Sequence, residues 1–294
     1  IVDVNECHLQ AEPSNEIRNF IRSYALENEI AFFDPKNKAG FLRSLMIRTT
    51  STKEVMIVLQ IFNKNEKLLV PLLDAVAEKF PDITSIQYVI NEKANDTIYD
   101  QEIICYRGTD FITEVMEELQ FKITAKSFYQ TNSLQAYELY KVVRELANLQ
   151  GDELVYDLYT GTGTIAQFIA QKAKKVVGVD VVPDSINAAK ANAIHNKIDN
   201  VFFETGDMKA IFTEDFITRH GKASVVVTDP PRDGMHKDVV NQLLELSPDS
   251  IVYVSCNSAT QARDLSLMKV KYNVVASQAV DMFPQTHHVE NVVL

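Results

Sequence analysis

LVYDLYTGTGTIAQFIA, Leu154 to Ala170, decides how the rest of the chain is read. An apolar strand carrying Asp157 runs into Gly161 and Gly163 and then into an apolar helix. The glycines allow a tight turn and close approach of backbone to a ligand. From about residue 153 the same grammar repeats. Strands are expected at 153–159, 175–180, 200–204, 224–229, 250–255, 273–280 and 289–294. Helices fall between the first six, as at 183–196, where Pro183 takes a favoured first-turn position. Strands linked by crossover helices predict an α/β architecture with a mostly parallel, doubly wound, Rossmann-like sheet. Ligands of such sheets bind at the carboxyl ends of the strands.

Residues 1–124 read as a smaller α+β domain ahead of a domain at 125–294. A helix is expected near 15–28, strands at 41–49 and 54–62, a helix near 68–79, and strands at 85–91 and 102–107. Residues 119–131 are expected to join the two domains, and 133–149 to form a long helix. A hydrophobic content of 46% with 23% charged residues is ordinary for a globular protein. Apolar runs are too short to span a bilayer, and three cysteines are too few for a disulfide framework, so a cytoplasmic monomer away from membranes is expected. The chain begins at Ile1 and stops inside the apolar run VENVVL, as a piece of a longer protein would. A net charge of −11 argues against a whole-surface nucleic-acid binder. Residues 1–124 hold 20 acids against 13 bases and residues 125–294 hold 20 against 16, so polynucleotide contact needs a local basic patch.

The glycine loop fits two cofactors. G-x-G-x-x-A with Asp180 ending the next strand matches a dinucleotide fingerprint. Asp157 just before the loop would repel a phosphate but attract a methionine ammonium, which favours S-adenosylmethionine. Asp180 suits a ribose diol. Asp207 in ETGD could accept from an adenine amino group, or serve only as a helix cap.

Two further segments carry candidate chemistry. VVVTDPPRDG ends the fourth strand on Asp229, stiffened by Pro230 and Pro231. SIVYVSCNSATQARD places Cys256 where a strand stops and a helix begins, so the thiol is either a small buried hydrophobe or a nucleophile at the functional edge. With SFYQTN (127–132) and HHVENVVL (287–294), these motifs in this order resemble the RNA uracil-C5-methyltransferase family, which makes 5-methyluridine in ribosomal or transfer RNA. The resemblance covers the carboxyl-terminal half and extends to FLRSLMIRTT near the amino terminus.

It implies a class I methyltransferase sheet with S-adenosylmethionine as cofactor, Cys256 as nucleophile and Glu290 as base. Gln130, Tyr159, Asp180 and Asp229 fall where the family contacts cofactor or target, and Gly161, Gly163, Thr164 and Asp207 complete the expected cofactor site. Thr164 stands where an Asn is common. Phe128 and Tyr129 are expected to stack on RNA, with Lys122, Lys126 and Arg232 touching phosphate. Cys7 resembles the last of four iron–sulfur cluster ligands, whose other members would lie upstream. The likeness to cluster-bearing members makes 23S ribosomal RNA the expected substrate, ahead of transfer RNA.

Uracil carbon 5 is a poor nucleophile until a thiolate adds at carbon 6, and a carboxylate must later remove the carbon 5 proton. The target base must leave its stack to be reached. A cytosine-C5 enzyme would present a second cysteine by the fourth strand, where Pro230, Pro231 and Arg232 stand. A dehydrogenase leaves DPPR, SCN and HVE idle, and an RNA-binding scaffold makes Cys256 and Glu290 coincidences.

Overall fold

The computed structural model describes residues 4–284 and 286–294. The chain divides into two compact units. One holds the residues up to Val115 with Lys122–Ser127, the other Met116–Phe121 with Phe128–Leu294.

The first unit contains α1 (Ser14–Glu27), β1 (Leu42–Thr49), β2 (Val55–Ile61), α2 (Glu66–Lys79), β3 (Ser85–Ile90) and β4 (Ile103–Gly108). The strands form one sheet in the order β1-β2-β3-β4. β2 is apolar nearly throughout and buried along its whole length. Ile17 and Ile21 of α1 and Leu69, Leu72 and Val76 of α2 share one core with Val55, Ile57, Leu59 and Ile61 of β2. Period-2 alternation along the strand thus meets helical periodicity on one face.

The segment expected to join the two domains is instead half of a β-hairpin, β5 (Phe111–Met116) with β6 (Leu119–Thr124). Its turn lacks the Asn-Gly or Asp-Gly signal. Glu117 occupies the left-handed region at φ 53°. Two Arg144 hydrogen bonds of 2.8 and 2.9 Å and one of 2.9 Å from the Tyr137 hydroxyl hold its carboxylate. Arg144 and Tyr137 lie on α3 (Ser133–Ala147), so tertiary contacts replace turn chemistry there.

The second unit carries β7 (Leu154–Leu158), α4 (Thr164–Ala170), β8 (Lys175–Asp180), α5 (Pro183–His195), β9 (Val201–Thr205) and α6 (Glu214–His220). It continues with β10 (Val225–Thr228), α7 (Lys237–Leu246), β11 (Ser250–Ser255), α8 (Ser258–Met268), β12 (Ser277–Val280) and β13 (Glu290–Val293). The seven strands order as β12-β13-β11-β10-β7-β8-β9. Strands β7 to β11 are parallel, and β13 runs antiparallel between β11 and β12. The strand expected over 273–280 begins only at Ser277. Tyr156, Leu158, Val177, Val226 and Leu243 form a fully buried core. The order reverses between β7 and β10, the switch point at which doubly wound sheets open a crevice. Among the described residues no helix is long and apolar enough to cross a membrane.

Candidate active site

The crevice begins at the loop between β7 and α4. Tyr159, Gly161 and Gly163 all take positive φ, 60°, 55° and 76°. For Tyr159 this is a sparsely populated conformation, of the kind that collects at functional sites. The two glycines are required for different reasons. A Cβ on Gly163 would lie 2.5 Å from the Phe203 ring and 2.9 Å from Ala189, whereas one on Gly161 would meet nothing within 4 Å. Gly163 packs the loop, and Gly161 borders open space.

Asp180 fixes that loop from the neighbouring strand. Its Oδ2 accepts from the Gly161 amide at 3.0 Å and its Oδ1 from the Val182 amide at 2.8 Å. Each oxygen keeps a second lone pair for a ligand hydroxyl. Asp157 differs from expectation. Its carboxyl is fully buried behind the loop, accepting from Thr160 at 2.5 Å and the Ala166 amide at 3.1 Å. Burial pushes it up to about 7, against the pull of those two hydrogen bonds. It therefore positions the loop rather than facing a ligand.

Thr164 is buried at the start of α4, its hydroxyl 3.3 Å from that of Thr162. Asp207 is exposed just beyond β9 and accepts from the Lys209 amide at 3.0 Å, a local turn contact. Gln130 follows Phe128, whose carbonyl accepts from Thr162 at 3.4 Å, so this segment lies against the glycine loop. The Phe128 side chain is exposed. Tyr129, read as a second stacking ring, is instead buried against Phe121.

The other wall comes from β10, β11 and β13. Asp229 follows β10, and burial together with Glu290 and Asp157 pushes its carboxyl well above the ordinary range. β11 and β13 pair Tyr253 with Val293, Val254 with Val292 and Ser255 with Asn291. Cys256 follows the last paired residue of β11, and Glu290 is the first residue of the antiparallel β13, so both lie at the carboxyl edge of the parallel strands. Burial also raises Glu290, and the Arg232 guanidinium opposes that rise.

Asn257 organises the turn after Cys256. Its side chain caps α8 by accepting from the Ala259 amide at 3.1 Å and donates to the Arg232 carbonyl at 3.1 Å. The Thr260 hydroxyl donates to the same carbonyl at 3.1 Å, which fastens the DPPR loop to the start of α8. Arg232, Cys256, Asn257, Ser258, His288 and Asn291 are among the residues lining a cleft of 610 Å³.

Two of these contributions have no signal in the sequence. Asn257 ties the DPPR loop to α8 as well as capping it, and the Nδ1 of His288 accepts from Arg232 at 2.7 Å. No spacing rule announces either contact. Cys7 stands apart from the cleft residues in sequence, its backbone held by the Asn15 side chain at 2.8 and 3.1 Å. Among the described residues no group of three or more His, Cys, Asp or Glu could hold a metal ion.

The sheet order, the glycine loop after its first strand and the acid after its second define a class I methyltransferase fold. A structure of the M. jannaschii tRNA m1G37 methyltransferase shares that fold with a TM-score of 0.53 at 12% identity, over 88% of this chain and 76% of the other. The model of the tRNA (uracil-5-)-methyltransferase family matches residues 93–294, and the chain belongs to that family. The structure of Pyrococcus abyssi tRNA (uracil-54, C5)-methyltransferase in complex with S-adenosyl-L-homocysteine superposes with a TM-score of 0.83 at 32% identity, covering 100% of this chain and 69% of that one. The chain is 57% identical over 298 residues to an uncharacterized RNA methyltransferase of Porphyromonas gingivalis and 38% identical over 296 residues to one of Clostridium tetani. It spans 64% of the length of these two relatives.

Proposed function

We propose that this chain is the catalytic part of an S-adenosylmethionine-dependent RNA (uracil-C5)-methyltransferase. The observation that carries the proposal is that Cys256, just past the end of β11, and Glu290, the first residue of the antiparallel β13, lie at the sheet edge that also bears the glycine loop. The crevice suits a cationic nucleoside. It offers open space over Gly161 and spare lone pairs on Asp180. It also sets Glu290 close enough to Asp229 to raise the Asp229 carboxyl. Gln130, Tyr159, Gly161, Gly163, Asp180 and Asp229 are the proposed cofactor residues, with Thr164 and Asp207 at the margins. When bound, S-adenosylmethionine supplies an electrophilic methyl group.

The chain's own residues do the remainder. Cys256 adds as a thiolate to carbon 6 of the uracil and makes carbon 5 nucleophilic. Glu290 takes the carbon 5 proton once that carbon is alkylated, and the thiolate then leaves. Phe128 and Arg232 are proposed to touch the RNA. The likeness to cluster-bearing members makes a uridine of 23S ribosomal RNA the proposed target, with transfer RNA the alternative that the names of the family and of the Pyrococcus abyssi enzyme support. Partial coverage of the relatives accommodates an RNA-binding segment outside this chain, in which Cys7 would meet further cluster ligands.

The experiment is trapping on 5-fluorouridine-substituted ribosomal and transfer RNA with S-adenosylmethionine, read by mass spectrometry. Fluorine cannot leave as a proton does, so the adduct persists on Cys256. The expected result is an adduct with one of the two RNAs, absent in Cys256→Ala. If both RNAs bind and neither forms an adduct, the proposal fails and a scaffold role replaces it.

A further inference from the structure

His288 is accounted for by none of the roles given so far. Its Nδ1 lies 2.7 Å from an Arg232 guanidinium nitrogen. An arginine can only donate, so Nδ1 must accept, and the ring is thereby fixed as the neutral tautomer with its proton on Nε2. The surroundings favour the same form. Partial burial, the His287 ring at 4.1 Å and the Arg232 charge hold His288 below the ordinary imidazole range. Among the described residues Nε2 has no hydrogen-bond partner. His288 and Cys256 line the same cleft. A neutral N–H donor thus stands in the cleft that holds the nucleophile.

We infer that His288 is a further catalytic residue, donating its Nε2–H hydrogen bond to the uracil carbonyl oxygen that gains charge when Cys256 adds. The inference rests on the uracil chemistry proposed above and deepens it. When the sulfur–carbon 6 bond forms, the carbon 5–carbon 6 π pair moves between carbons 4 and 5, and the carbonyl pair moves to oxygen 4. The resulting enolate oxygen accepts a hydrogen bond, and no proton leaves the ring. As carbon 5 is alkylated, the pair between carbons 4 and 5 forms the new carbon–carbon bond, the carbonyl re-forms and oxygen 4 loses its charge. A fixed donor aimed at developing charge is the arrangement that stabilises such an oxyanion. Arg232 is then a positioning residue for His288, because its guanidinium decides which ring nitrogen keeps the proton.

Three measurements test this. The first is the single-turnover rate of adduct formation on 5-fluorouridine RNA for wild type, His288→Ala and His288→Gln. The alanine variant is expected to lose about 10²-fold or more, the cost of removing one oxyanion donor, and glutamine, which keeps an N–H, to recover part of it. The second is RNA affinity, expected to change little in His288→Ala. The third needs no turnover. Nitrogen-15 histidine spectra of the unliganded protein should show His288 protonated on Nε2 at neutral pH, and Arg232→Ala should release that preference. A His288→Ala rate equal to wild type overturns the inference. So does a loss explained wholly by weaker RNA binding, or an Nδ1–H tautomer in the wild type. If the wild type itself forms no adduct, the uracil reading falls, and the tautomer spectra still report separately on the Arg232–His288 pair.

Discussion

Replacing Gly163 and Gly161 by alanine one at a time separates what the loop does for the fold from what it does for a ligand. Both residues have positive φ, 76° and 55°. Each substitution therefore carries a left-handed backbone cost of about 1–2 kcal/mol. Only Gly163→Ala also drives a Cβ into neighbours, to 2.5 Å from the Phe203 ring and 2.9 Å from Ala189. Overpacking of a tight core adds about 1–3 kcal/mol. The expected losses are thus about 2–5 kcal/mol for Gly163→Ala and about 1–2 for Gly161→Ala. At about 2–4 °C per kcal/mol for a domain of this size, Gly163→Ala should lower Tm by about 4–20 °C. Urea and thermal denaturation read these losses. Titration calorimetry with S-adenosylhomocysteine reads the other half, since a methyl on Gly161 stands in the space where the cofactor is proposed to lie. Its affinity should fall at least about tenfold, a change of 1.4 kcal/mol. Equal stability losses for the two variants would refute the packing argument, and unchanged affinity in Gly161→Ala would refute the placement of the cofactor.

Asp157→Asn tests the buried carboxyl. Burial raises the folded group to about 7, so the folded state holds a proton that the unfolded chain releases near 4. Stability from this group is therefore present below pH 4 and is lost as pH rises toward 7, by at most about 4 kcal/mol. Urea unfolding from pH 5 to 8 should show wild type losing ground to Asp157→Asn, and parallel pH curves would contradict it. Arg232→Ala tests the base. Burial raises Glu290 and Arg232 opposes that rise, so removing the guanidinium should push the carboxyl higher. A base works only when deprotonated, so the acid limb of the kcat/KM profile should move to higher pH in Arg232→Ala. A limb that stays in place would detach Arg232 from Glu290.

Much of this was legible in one dimension. The alternation of apolar runs with helical stretches after residue 153 specifies the parallel sheet, because strands buried on both faces have few other ways to be covered. The crevice follows from that sheet, and so do the places of Tyr159, Gly161, Asp180 and Asp229 at its edge. The β5–β6 hairpin did not show itself, since Glu117 turns the chain without glycine or asparagine and relies on Arg144 and Tyr137 from α3. Asp157 was misjudged for a related reason. Its place before the loop is a matter of sequence, but whether it faces ligand or core depends on Thr160 and Ala166 folding over it.

The sequence by itself determined the cofactor loop, because glycine spacing and strand-end acids are local facts that the backbone must obey. Tertiary structure alone decided that Cys256 and Glu290 lie at the same edge of the sheet. They lie 34 residues apart in sequence. They share an edge because β13 runs antiparallel to β11, which returns its first residue to the end where the parallel strands finish. A parallel β13 would have left Glu290 at the opposite end of the sheet. Strand direction is set by how the chain returns across the sheet, and no local pattern in HHVENVVL records it.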